Sequence, residues 1–137
     1  MTQTNVETVR AIYAEWEQGR MRAGVDLFDP EIVFESFMPD SRERAIARGS
    51  EEVATFMREL LAQWSHYKIL GDEFRSHSGG EVVLVAGHQA GVGRQSEVSV
   101  QMPIFSVWRF RDGRIVKLDW FSSLAQAEEE AGPADPA

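Results

Sequence analysis

Five side chains in this sequence are of the kinds that could move a proton or hold a developing charge inside a fold: Tyr13, Ser36, His88, Ser106 and Asp119. A hydroxyl can hydrogen-bond a carbonyl or an oxyanion as it forms, while an imidazole or carboxylate carries the proton. Neither serine has an adjacent base, so neither reads as a nucleophile. His88 lies in the middle of "VVLVAGHQAGVG", and its titration range suits acid–base work. The apolar run before it leaves open whether His88 or Gln89 faces inward. Asp119 has a chemical role only if it points inward beside Ser106; outside, it is a solvated carboxylate. The three histidines, His66, His77 and His88, lack ligand spacing, so no metal is expected. His66 and His77 flank a strand and are expected to be exposed. Glu51 and Glu52 read as helix-start charges, and "GVGR" lacks the strand–glycine–helix setting of a phosphate loop.

Positioning these groups falls to a set of elements that can be read from periodicity. Residues 4 to 18 form an amphipathic helix: Thr4 and Glu7 have capping-box spacing, and Val6, Val9, Ile12, Tyr13 and Trp16 share a stripe that Gly19 ends. "MRAGVDLF" (21 to 28) reads as a short second helix stopped by Asp29-Pro30, and "EIVFESF" (31 to 37) as a strand. Ser50 caps a third helix whose buried stripe is Val53, Phe56, Met57, Leu60, Leu61 and Trp64. Strands follow over about 66 to 77, 81 to 94, 96 to 111 and 114 to 122. Helices first and sheet after give an α+β domain with helices on one face.

The strand at 96 to 111 alternates strictly. Val98, Val100, Met102, Ile104, Ser106, Trp108 and Phe110 share the face that should meet the helices. How the next strand pairs depends on the turn. A two-residue turn at Asp112-Gly113 sets Ser106 opposite Asp119 and Trp108 opposite Lys117; a three-residue turn sets Ser106 opposite Leu118 and Ile104 opposite Trp120. The second keeps hydrocarbon inside and is preferred, because the first buries unpaired charges. It leaves Phe105, Val107, Ile115 and Phe121 on an outer face with Asp119, a half-apolar surface suited to a homodimer.

Bulk properties narrow the function classes. With 22 acidic against 14 basic residues and a net charge of −8, the chain is a poor partner for nucleic acid. No stretch reaches the apolar length of a membrane span, there is no cysteine, and a cytoplasmic protein is the expectation. "AEEEAGPADPA" (127 to 137) reads as an acidic, Pro- and Ala-rich disordered tail after a single domain over 1 to 126.

"VRAIYAEWEQGR", "LFDPEIVFES", "RGSEEVATFM" and "VWRFRDGRIVKLDWF", in that order, resemble the SnoaL-like domains of the nuclear transport factor 2-like (ketosteroid isomerase-like) superfamily, over roughly residues 5 to 125. The resemblance implies a cone. A strongly curved, mostly antiparallel sheet, a cystatin-like roll, wraps a pocket closed by three helices of the N-terminal half, and the sheet often dimerises. It also implies places for chemistry. Tyr13 is close to the oxyanion-holding tyrosine of related isomerases. Ser36 and Ser106 stand where ketosteroid isomerases carry their general-base aspartate and proton-donating aspartic acid. Phe34, Ser36, Gly87, Gln89 and Trp120 stand at the polar and acidic positions of limonene epoxide hydrolases. Neither acid set is present, so neither chemistry carries over, and epoxide hydrolysis is disfavoured.

The reading that results is a bacterial pocket protein for a small apolar or amphipathic molecule of polyketide, steroid or terpenoid type. Its pocket would be lined by Tyr13, Trp16, Phe34, Ser36, Phe56 and Leu60 from one side. Gln89, Met102, Ser106, Trp108 and Trp120 would line it from the sheet. If it is an enzyme, it is an isomerase or cyclase without a cofactor, with Tyr13, His88 and Asp119 as catalytic residues. The alternatives are a non-catalytic ligand-binding or dimerising accessory domain, and a fold whose pocket is filled core.

Overall fold

The computed structural model describes residues 4–20, 22–37, 45–62, 64–93 and 99–136. Helix α1 (Asn5–Glu17) starts where the Thr4 hydroxyl accepts the Glu7 amide at 3.1 Å, which satisfies one of the four orphan N–H groups of a helix start. Val9, Ile12, Tyr13 and Trp16 form its buried stripe, and Gly19 ends it with φ +87°. The helix expected over 21–28 is instead a single 3-10 turn, Val25–Leu27. Gly24, at φ +86°, is the reason: a Cβ there would stand 2.7 Å from the Ile12 side chain, and the left-handed backbone breaks the helix.

Strand β1 (Phe28–Ser36) pairs with a short β2 (Ala45–Arg48), which the periodicity did not reveal. Helix α2 (Ser50–Ala62) buries Val53 and Met57, while Leu60 and Leu61 have side chains outside the described residues. Trp64, placed on that helix stripe by spacing, opens β3 (Trp64–His77). Strands β4 (Val82–Gly93), β5 (Ser99–Arg111) and β6 (Arg114–Phe121) complete a six-stranded sheet in the order β2-β1-β6-β5-β4-β3. Every pair is antiparallel except β1 with β6. This is the α+β arrangement the sequence leads one to expect, with α1 and α2 on the face of the sheet that forms the inside of the cone. Val98, expected on the inner face of β5, lies outside the described residues.

The β5–β6 hairpin departs from both registers drawn from the sequence. Asp112 and Gly113, at φ 52° and 77°, form a two-residue turn of the mirror type that matches the twist of the strands. Phe110 pairs with Ile115; then a bulge adds one residue to β6, and Arg109 pairs with Lys117, Trp108 with Leu118 and Ser106 with Trp120. The bulge restores by another route the facing that the three-residue turn was meant to supply. Trp108, Leu118 and Trp120 therefore face inward, and Asp119 faces outward opposite Val107. Ile115, before the bulge, lies in the inner core rather than on the outer face as expected.

The acidic end is not a free tail. Ser123 caps α3 (Leu124–Ala131), whose Ala127 and Ala131 are buried on the outer face against Val82, Leu84, Val107 and Phe121. The chain then runs back beside β3. The His77 Nδ1–H donates to the Gly132 carbonyl at 2.9 Å, and the Asp135 carboxylate accepts the Ser76 hydroxyl and the Gly79 and Gly80 amides. His77, expected to be exposed, is 3% exposed because this segment covers it. A helix with small residues on one side lies flat on the sheet and takes much of the apolar outer face that was assigned to a homodimer.

Candidate functional site

The inner face of the cone carries two polar pairs in an otherwise aromatic interior. The first belongs to α1 and β5. The Tyr13 hydroxyl donates to Ser106 Oγ at 3.0 Å and accepts the Trp108 indole N–H at 3.3 Å. Burial pushes the Tyr13 phenol up to about 12 against the opposing pull of these two hydrogen bonds, so it stays neutral at physiological pH. The second pair joins β3 to β4: Tyr67 donates to Gln89 Oε1 at 2.8 Å, beside Met102.

Around these pairs the expected pocket lining packs against itself. Tyr13 meets Trp16 with ring centroids 5.0 Å apart and Phe74 edge-on at 5.5 Å; Trp16 meets Trp108 at 5.7 Å. Phe34 contacts Phe56 at 4.8 Å and Trp120 edge-on at 4.9 Å. Edge-on and tilted ring contacts of this kind are individually favourable, and together they pack the described side chains at the centre of the cone against one another. The recess beside Trp64, Tyr67, Gln89 and Met102 is only about 10 Å³, the room of one water.

A ligand-sized space lies to one side. A cleft of about 480 Å³ opens between the end of α1, the 3-10 turn, the start of β1 and α2. Its apolar lining is Trp16, Val25, Phe28, Val53, Ala54 and Met57, and its polar lining is Arg22, Glu51, Thr55 and Arg58. Trp16 connects it to the inner cluster, since the same ring packs against Tyr13 and Trp108. The indole N–H of Trp16 is buried and has no acceptor among the described residues.

Comparison with known proteins places this architecture. The family model of the SnoaL-like domain matches residues 9–118. The chain belongs to the SnoaL-like domain family. None of the curated proteins matches it. Among solved structures, this SnoaL-like domain is similar to an NTF2-like protein of Burkholderia thailandensis, at 25% identity over 92% of this chain and 98% of that one, with a TM-score of 0.77. It is also similar to a protein of Catenulispora acidiphila with a ketosteroid isomerase-like fold, solved with trimethylamine, at 18% identity over 98% and 99% with a TM-score of 0.72. A Jannaschia protein provisionally named a SnoaL-like polyketide cyclase matches at 17% identity over 99% of both chains, with a TM-score of 0.71.

The structure brings some of the expected site residues together and separates others. Tyr13, Trp16, Phe34, Ser36, Phe56, Gln89, Met102, Ser106, Trp108 and Trp120 all face the interior, although only Trp16 lines the large cleft. Leu60 is on α2, with its side chain outside the described residues. His88 and Asp119 are not part of the site. His88 sits on the outer face opposite Pro103 and donates through Nδ1 to Asp72 at 2.9 Å, because strand alternation that turns Gln89 inward turns its neighbour out. Asp119 lies under α3 with Lys117 Nζ at 3.6 Å. Among the described residues, no group of His, Cys, Asp and Glu is arranged to hold a metal ion, and no helix is long and apolar enough to cross a membrane.

Tyr67 and the cleft residues Arg22, Phe28 and Arg58 escaped the sequence reading. A bulge between Ser65 and Lys68 breaks the alternation that would have given the facing of Tyr67. The cleft is assembled from two stretches distant in sequence, 16–28 and 51–58, and no local pattern signals it.

Proposed function

We infer that this SnoaL-like domain binds a largely apolar small molecule in the cleft above Trp16. The polyketide-, steroid- or terpenoid-like class expected from the family stands as part of that proposal. The observation that carries it is a ligand-sized concavity whose lining includes an aromatic ring, Trp16, packed directly against the Tyr13–Ser106–Trp108 cluster. Both inner polar pairs are neutral and hydrogen-bonded internally, and neither lines the cleft, so they offer a cleft ligand no carboxylate for proton abstraction. Binding without turnover is therefore the leading account, with the domain acting as a carrier, sensor or accessory module in the cytoplasm. Dimerisation is kept for the strip of outer face around Phe105 that α3 leaves only partly covered.

One observation favours a second reading, a cofactor-independent isomerase or cyclase. A phenol held neutral and braced by two partners can turn its O–H from Ser106 to a developing oxyanion. The test is a panel of cyclic ketones, epoxides and lipids, scored by tryptophan fluorescence, melting temperature and product formation. Ligands that raise the melting temperature of the wild type, fail to do so with Ala54→Trp, and are recovered unchanged support binding. Turnover that falls sharply in Tyr13→Phe selects the enzyme. A panel hit that binds Ala54→Trp as well as wild type removes the cleft from the account.

A further inference from the structure

The charges around the cleft do not match the rest of the chain. The protein has a net charge of −8, yet the cleft is lined by two guanidiniums, Arg22 and Arg58, and one carboxylate, Glu51, for a local balance of +1. Neither arginine makes an ion pair with any described residue; Arg58 donates only to the Thr55 hydroxyl at 3.2 Å, and that hydroxyl also lines the cleft. Glu51 is likewise without a cationic partner among the described residues, and it sits in the first turn of α2, where the helix dipole favours a negative group. All three charges of the cleft are thus without an ion-pair partner among the described residues, and the two arginines are the ones open to an anion.

A site whose buried lining is apolar and whose exposed lining carries two guanidiniums complements a molecule with an apolar body and one acceptor-only, negatively charged end. A hydroxyl or ketone end satisfies one donor and leaves the charges as they were. A carboxylate has two oxygens and several lone pairs, and guanidinium is the side chain whose planar donor fork fits it. The apolar lining selects for shape: Trp16, Phe28 and Met57 offer flat and adaptable contact to a ring system.

Resting on the cleft reading above, we propose that the preferred ligand is an aromatic or polycyclic carboxylate, its rings on Trp16 and its carboxylate between Arg22 and Arg58. Glu51 then tunes affinity by repulsion. The domain is selective for the acid over its neutral counterparts.

Isothermal titration calorimetry with 2-naphthoate and its neutral counterpart 2-naphthamide tests this. The naphthoate should bind at least about tenfold more tightly than the amide, the size of one charge-assisted hydrogen bond. That preference should shrink with added salt, as a rim contact does. R22Q/R58Q should bring the naphthoate down to the affinity of the amide, R22K/R58K should retain part of the difference, and E51Q should tighten naphthoate binding. All three positions are exposed, so the folded state is checked by melting alone. Equal affinity for the two probes overturns the acid preference and leaves the cleft intact. Binding that A54W leaves unchanged, or no binding of either probe, overturns the cleft itself and the preference with it.

Discussion

Replacing Asp119 with asparagine should make this protein more stable at neutral pH and leave it nearly unchanged in acid. Asp119 is 1% exposed, pairs across the sheet with Val107 and Glu35, and is roofed by α3. Its Oδ1 has no hydrogen-bond partner, and its Oδ2 has only Lys117 Nζ at 3.6 Å, an ammonium shared with Glu130 at 3.6 Å. Burial pushes the carboxyl up from 3.8 to about 6; Lys117 opposes this, and Glu130 and Glu35 add to it. The folded state therefore holds the proton more tightly than the unfolded chain. The favourable contribution of the protonated acid is complete below about pH 4 and is lost as pH rises through about 6. Roughly two pKa units at about 1.4 kcal/mol each set a ceiling of about 3 kcal/mol on the cost at pH 7. D119N, a neutral isostere, should recover about 1–3 kcal/mol there, a rise in melting temperature of about 3–9 °C for a chain of this size. The assay is thermal unfolding of wild type and D119N at pH 4.0 and 7.5, compared as a double difference so that other titrations cancel. A variant that is destabilised, or shifted equally at both pH values, would refute the argument.

Three other substitutions test the packing. Tyr13→Phe strands the Ser106 hydroxyl and the Trp108 indole N–H in the core and should cost about 1–3 kcal/mol by urea denaturation; a neutral result would mean those groups find other partners. Gly87→Ala drives a Cβ into the Leu70 carbonyl oxygen across the β3–β4 pair, so a loss of at least about 3 kcal/mol or failure to fold is expected, and an unchanged melting temperature would contradict the close approach. Asp135→Ala removes the acceptor for Ser76 and for the Gly79 and Gly80 amides. Because the Ser76 hydroxyl and those amides hold the Asp135 carboxyl below its ordinary 3.8, the variant should melt lower at neutral pH, with a deficit that fades as pH falls below that value.

Much of this fold is written in local patterns. The α1 stripe and its Thr4 cap, and the alternation of β5, gave the inward facing of Tyr13, Ser106 and Trp108 directly. The exact pairing of β6 was not legible, because a two-residue turn plus a bulge and a three-residue turn produce the same facing from 117 onward; only Ile115, before the bulge, distinguishes them. Helix α3 was hidden by composition. Leu124, Ala127 and Ala131 have helical spacing, but two alanines carry too little hydrocarbon to stand out against the glutamates beside them. The site was the least legible part. Sequence marks which rings face inward, and it does not say that they pack against one another, nor that Arg22 and Arg58 come to share one cleft.

Nuclear magnetic resonance of the indole groups reads directly whether ligands rest on Trp16, as proposed. The chain has four tryptophans, and each contributes one indole N–H resonance to a nitrogen–proton NMR spectrum. During titration with 2-naphthoate, the signal of Trp16, assigned by Trp16→Phe, should move first and furthest, Trp108 should follow weakly through its ring contact, and Trp64 and Trp120 should stay in place. Movement of Trp64 or Trp120 with a stationary Trp16 would put the ligand at the other end of the cone and contradict the account.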